Sequence, residues 1–154
     1  MKSLLVVMLV LFSSTSAWAQ KPETLIDSGF DQKEMDAAIE RAKKEVDTFI
    51  KELAKPTGKS HAIKVAITDK GKTEFFWLMG ITYRDGVFEG TINNEPGMVK
   101  NVRFGDKRKV KKADIADWLF LRDGKMHGNY TVRPLLKAMP KEQAEEVRAM
   151  LAEP

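Results

Sequence analysis

The chain contains no cysteine. That excludes thiol nucleophiles, cysteine-ligated zinc and iron–sulfur clusters, and it leaves stability to packing rather than disulfides. Histidine is nearly missing too. Only His61 and His127 occur, with no H-x-H or H-x-x-x-H spacing. A metal site is therefore not expected, and no residue pattern implies a cofactor. Serine is scarce: beyond residue 19 only Ser28 and Ser60 remain, and neither sits in a G-x-S-x-G elbow. Ser60 and His61 are neighbours, but consecutive strand side chains point to opposite faces, which disfavours a Ser–His hydrolase. Charge of one sign is also lacking, with 26 Lys and Arg against 22 Asp and Glu. Nucleic-acid binders concentrate basic charge on one face, so nucleic acid is not an expected partner.

Long apolar runs are missing apart from one, in "MKSLLVVMLVLFSSTSAWAQ". Lys2 supplies a positive start, Leu4 to Phe12 is apolar throughout, and Ala17-Trp18-Ala19 is a small-x-small cleavage site. A spanning helix needs about 20 apolar residues, and this run is far shorter. The pattern predicts a cleaved signal peptide over residues 1–19. An uncleaved N-terminal anchor is the alternative. No cysteine follows the run, which disfavours a lipoprotein. Removing 19 of the 154 residues leaves 135, and loss of Lys2 lowers the net charge from +4 to +3. The expected product is a periplasmic or secreted protein with no transmembrane segment after cleavage. It comprises a flexible N-terminal segment, residues 20–30, and one domain, residues 31–154.

In "DQKEMDAAIERAKKEVDTFIKELAK", Met35, Ile39, Ala42, Val46, Phe49 and Leu53 recur at steps of three and four. This is one apolar stripe on a long amphipathic helix. Asp31 can cap it, with Glu34 completing a capping-box-like start, and Pro56 and Gly58 close it. The stripe suits packing on the protein's own sheet better than a coiled coil, although a homodimer through it is the alternative. The pattern then changes to period two. Ile63, Val65 and Ile67 face one way, Lys64 and Thr68 the other, before a turn at residues 69–72. In "TEFFWLMGITYRDG", Phe75, Trp77, Met79, Ile81 and Tyr83 are expected on one face and Phe76 and Leu78 on the other. Such a strand is central and covered on both sides.

Asp85-Gly86 signals a hairpin, returned by "VFEGTI". Asn93, Asn94, Pro96 and Gly97 mark a structured loop. A short strand at "VRF", a Gly105-Asp106 turn and a basic strand follow. "RDGVFEG" and "RDGKMHG" share R-D-G-x-x-x-G. Two similar hairpins account for this, with Asp-Gly giving the positive-φ turn and the later glycine relaxing the returning strand. A phosphate-binding glycine loop would need a strand-to-helix context that is lacking here. Pro134 starts a terminal helical region. Pro140 begins its last helix, with Ala144, Val147 and Leu151 as the apolar edge.

Few residues carry chemistry. In "DIADWLFLRDGKMHGNY", Trp118 and Phe120 share one face of their strand. On the return strand His127, Asn129 and Thr131 are expected on a polar, solvent-compatible face, opposite Met126, Tyr130 and Val132. His127 is then an exposed hairpin histidine, or a general base beside Asp117. Asp114 and Asp117 could flank a sugar as paired carboxylates, but Asp114 also suits the cap of a single turn, "DIAD". The run Lys107, Arg108, Lys109, Lys111 and Lys112 is either an edge strand guarded by lysines or a docking patch for an acidic partner or anionic envelope surface. Asn93, Asn94, Asp117, Trp118, His127 and Tyr130 form the candidate ligand or partner surface.

The order and spacing of Trp77, Asn94-x-Pro96, Gly105, Asp117-Trp118, Gly124, Gly128 and Tyr130 resemble the YegJ-like family of uncharacterised bacterial domains. The match covers roughly residues 75–136. The resemblance implies a shared fold and, for a domain of unknown function, no reaction. The expected architecture is α+β: a long N-terminal helix packed on a twisted antiparallel sheet of about five to seven strands, with a C-terminal helix. A partly closed barrel with an appended helix is the alternative. The functional expectation is an exported, non-catalytic binding or interaction module, one version being an inhibitor or immunity-type protein. A small envelope hydrolase using paired carboxylates is the alternative.

Overall fold

The computed structural model describes residues 29–153. The predicted signal peptide and residues 20–28 of the N-terminal segment lie outside the described residues. Helix α1 (Gln32–Ala54) starts where the sequence places it. The Asp31 carboxylate accepts the Glu34 N–H at 3.0 Å, satisfying one of the free donors at the helix start. Met35, Ala42, Val46 and Phe49 of the stripe are buried. Burying a large apolar side chain contributes about 1.5–3 kcal/mol, so this face fixes the helix to whatever lies beneath it.

What lies beneath is a six-stranded sheet: β1 (Lys59–Asp69), β2 (Lys72–Arg84), β3 (Val87–Ile92), β4 (Lys107–Lys111), β5 (Ile115–Arg122) and β6 (Lys125–Gly128). The order is β4-β3-β2-β1-β5-β6, and every neighbouring pair is antiparallel. Ala42, Val46 and Phe49 pack on Ile63, Phe76, Leu78, Phe88, Trp118 and Phe120 of one face. The other face is covered by the chain after β6, which forms two 3-10 turns, Tyr130–Val132 and Pro134–Lys137, and then α2 (Lys141–Met150). Trp77, Leu119 and Met126 meet Leu135, Val147 and Leu151 there. The architecture is α+β as expected, and the central strands are covered on both sides.

Three hairpins turn on two residues, Lys70-Gly71, Asp85-Gly86 and Asp123-Gly124, and all six residues have positive φ. That is the type I′ geometry whose twist matches the strands. The final glycine of each R-D-G-x-x-x-G repeat is also required for space. A Cβ on Gly90 would lie 2.5 Å from Ile81 Cδ1, and one on Gly128 would lie 2.3 Å from the Trp118 carbonyl. Both glycines allow close approach, and Gly128, with φ +75°, also uses a backbone conformation that favours glycine.

Other expectations are corrected. Ile81 and Tyr83 share the α1 face with Phe76 and Leu78, not the face of Trp77. Between Met79 and Thr82 the β2–β3 register shifts by one residue, at Gly80 with φ +65°. The bulge inverts the alternation downstream. Residues 99–106 form no strand, so the one expected at "VRF" is absent. Asp114 closes the 3-10 turn Lys112–Asp114 instead of capping a turn that follows it.

Gly128→Ala should cost about 3 kcal/mol, because the methyl group collides with both backbone and ring of Trp118. Gly124→Ala, with open space around its Cβ, should cost only about 1 kcal/mol of conformational strain. Urea denaturation of both variants checks the difference.

Candidate functional site

The strongest concentration of ionisable chemistry lies inside the sheet. Lys64 on β1 stands opposite Asp117 on β5, with residue exposures of 2% and 0%. Lys64 Nζ donates to Thr131 Oγ1 at 2.6 Å. The same hydroxyl donates to Asp117 Oδ2 at 2.7 Å. Asp117 also accepts the Thr131 N–H at 2.7 Å and the Trp118 N–H at 2.8 Å. The ammonium lies 4.7 Å from the centre of the Trp77 ring, within cation–π range. Burial pushes the Lys64 pKa down to about 8, against the opposing pull of Asp117. Burial likewise raises that of Asp117, against Lys64 and the hydrogen bonds from Thr131 and Trp118.

Local sequence explains how the cluster forms. After Gly128 the chain leaves the strand: Asn129 adopts a left-handed conformation with φ 48°. The following 3-10 turn carries Thr131 over the second face and Tyr130 toward the first. The expected polar face of His127, Asn129 and Thr131 is therefore not formed, and Asn129 and Thr131 are buried. Thr131 can accept from Lys64 while donating to Asp117 because a hydroxyl carries both capacities. An amine and a carboxylate enclosed in this way hold β1, β5 and the 3-10 turn together. They present no surface to a substrate.

The remaining candidate residues are dispersed. Trp118 is buried under α1, donating from Nε1 to the Ala42 carbonyl at 2.9 Å. Tyr130 donates its hydroxyl to Glu45. Burial and Glu45 together raise the Tyr130 pKa. Asn94 is buried, accepting the Trp77 N–H at 2.9 Å, while the Asn93 N–H donates to the Trp77 carbonyl at 2.9 Å. His127 is half-buried and stacks on Phe120 with ring centres 4.9 Å apart. Burial and then the Arg122 charge lower its pKa. His127 thus lies on the α1 face, Asp117 on the opposite face, and Asp114 is exposed ahead of β5. These three residues do not assemble the acid–base pair that hydrolysis of a sugar needs.

Sequence reasoning missed Lys64, Thr131, Glu52 and Glu74. Glu52 borders a groove of about 260 Å³ lined also by Thr48, Lys51, Thr57, Phe120 and Arg122. Its burial favours the neutral acid. The N–H groups of Gly58 and Thr57, the Thr57 hydroxyl and His61 outweigh that effect and hold its pKa at about 2. Glu52 is therefore engaged in closing the α1–β1 connection. Glu74, buried on β2, accepts the N–H groups of Gly97, Met98 and Val99 at 2.8–3.2 Å. A charged residue between apolar neighbours within a strand was the available signal for Lys64 and Asp117, while Glu74, near the polar start of β2, gave none. Among the described residues no group of three or more His, Asp or Glu could hold a metal ion.

Removing one charge of a buried pair strands the other, at a cost of about 3–5 kcal/mol. Lys64→Met and Asp117→Leu should each lose that much, and the double variant should lose far less than their sum. The native protein should also gain stability between pH 8 and the ordinary lysine range. The unfolded chain there holds a proton that folded Lys64 has released. Lys64→Met should lack this gain, as denaturant midpoints across pH will show.

Residues 32–151 match the family DUF2314, described as "Uncharacterized protein conserved in bacteria". The chain is 44% identical over 151 residues to the "Uncharacterized protein YegJ" of Escherichia coli, covering 98% of this chain and 99% of that protein. It is also 36% identical over 74 residues to a putative ankyrin repeat protein of Neisseria meningitidis serogroup B, covering 47% of this chain and 29% of that protein. No solved structure matches. On the family match and the near-full-length relative, the chain belongs to DUF2314, a family of uncharacterised bacterial proteins.

Proposed function

We propose that the protein is exported to the periplasm and works there by binding another envelope component rather than by catalysis. The leader, with Lys2, the run Leu4–Phe12 and Ala17-Trp18-Ala19, supports export. The observation that carries the binding reading is the preorganised loop between β3 and β4. Glu74 fixes three of its N–H groups. Asp69 accepts the Lys100 N–H at 2.9 Å, and Asn101 donates to the Thr68 carbonyl at 2.9 Å. On this fixed support Phe104 is 47% exposed, flanked by Arg103 and, after the turn, by the lysines of β4. A rigid loop presenting an aromatic side chain needs little ordering on binding, which favours affinity.

Fractionation of cells with mass spectrometry of the N-terminus should find the protein in the periplasm, beginning at Gln20. Affinity capture from envelope extract should then retain a stoichiometric component that is reduced about tenfold by Phe104→Ser, a loss of about 1.4 kcal/mol. A cytoplasmic protein still carrying residues 1–19 contradicts export. Identical capture by both baits contradicts recognition through this loop.

A further inference from the structure

The two edges of the sheet are treated differently. At β6 the chain's own C-terminal segment closes the edge: Met126 forms a parallel bridge with Leu151, and Ala152 N–H donates to the Met126 carbonyl at 2.9 Å. At β4 no described strand pairs on the outer side. The direction of its backbone groups follows from two bonds. Ile92 N–H donates to the Asp106 carbonyl, and Lys112 N–H donates to the Gly86 carbonyl, both at 2.9 Å. Even-numbered residues therefore bond to β3, and the antiparallel ladder alternates. The N–H and C=O groups of Lys107, Lys109 and Lys111 point outward.

Their side chains form a second alternation. Val110 is buried in the α1-side core, so Lys107, Lys109 and Lys111 project from the opposite face, where all three are exposed. Among the described residues, the ion pair these lysines make is with Glu89, 3.9 Å from Lys109. An unpaired backbone edge thus coincides with three lysines at alternate positions. A second copy of β4 would set lysine against lysine, which is destabilising. A strand with acids at i, i+2 and i+4 would set each carboxylate beside a lysine.

We propose that β4 is a docking edge for an acidic extended segment of a partner protein, which adds to the sheet as a further strand. Main-chain hydrogen bonds to Lys107, Lys109 and Lys111 supply the register, and the alternating charges supply the selectivity. The proposal rests on the binding reading above but names a different surface, the strand rather than Phe104. Guarding of the edge against aggregation uses the same lysines, but it requires no acidic partner.

The test uses the purified protein and an acetylated heptapeptide of alternating glutamate and valine, with a lysine–valine peptide as control. Hydrogen exchange should show new protection at the amides of Lys107, Lys109 and Lys111, while those of Arg108 and Val110 are already slow. Binding should weaken with salt. Lys109→Pro removes an outward N–H that β3 does not use, so the fold should survive in a thermal melt while peptide affinity falls at least about tenfold. The Lys→Glu change at all three positions should transfer preference to the lysine–valine peptide. The proposal is overturned if the acidic peptide leaves the three amides unprotected at about 1 mM, or if Lys109→Pro binds it as well as the native protein. Either failure leaves the Phe104 capture result intact, so the two readings fall separately.

Discussion

The structure depends on the Asp117 carboxylate being satisfied in the middle of a sheet covered on both faces. An ionised group at zero exposure is tolerated only when its acceptor sites are filled. Three donors from Thr131 and Trp118 fill them, and Lys64 balances the charge through the Thr131 hydroxyl. The consequence extends beyond the cluster. Holding Thr131 against β5 fixes the 3-10 turn in which it sits. That turn directs Tyr130 toward Glu45 on α1 and sends Pro134–Lys137 and α2 over the second face. Both covering layers are thereby positioned from one carboxylate.

This explains why Asp117, Trp118 and Tyr130 of the Asp114–Tyr130 stretch are held inside the fold. Trp118 joins sheet to helix through its indole N–H, and its ring stacks on Phe49 with centres 5.7 Å apart. Gly128 exists to let the chain pass the Trp118 ring. Asp117, Thr131 and Lys64 form a closed hydrogen-bonded network whose members satisfy one another. The exposed aromatic and basic side chains lie elsewhere, with Phe104 on the fixed loop and Lys107, Lys109 and Lys111 along β4.

Much of the fold was legible in the sequence because short-range rules governed it. Helix α1, its Asp31 cap and the Asp-Gly hairpins follow from periodicity and turn chemistry. The C-terminal helix follows from Pro140 and its apolar edge. Long-range events broke the pattern where the reading failed. The Gly80 bulge moved Ile81 and Tyr83 to the other face, and no period-two count anticipates an inserted residue. The left-handed Asn129 ended β6 early, so Thr131 went into the core. Period two placed Lys64 on the face opposite Ile63 and Val65, but not its burial, because its partner Asp117 lies on a strand distant in sequence. The candidate surface was less legible for the same reason. Asp117 and Trp118 look reactive in one dimension, but they become internal once α1 covers one face of the sheet and the C-terminal layer the other.

The central claim is that the Asp117 network docks the C-terminal layer on the sheet. Native-state hydrogen exchange of Thr131→Val tests it most directly, because the substitution removes the bridging hydroxyl while keeping the side chain's shape. The account predicts faster exchange at Thr131, at Trp118 and through α2, with protection retained in β2 and β3. Unchanged protection at Thr131 and α2, or an equal loss across the whole sheet, would contradict it.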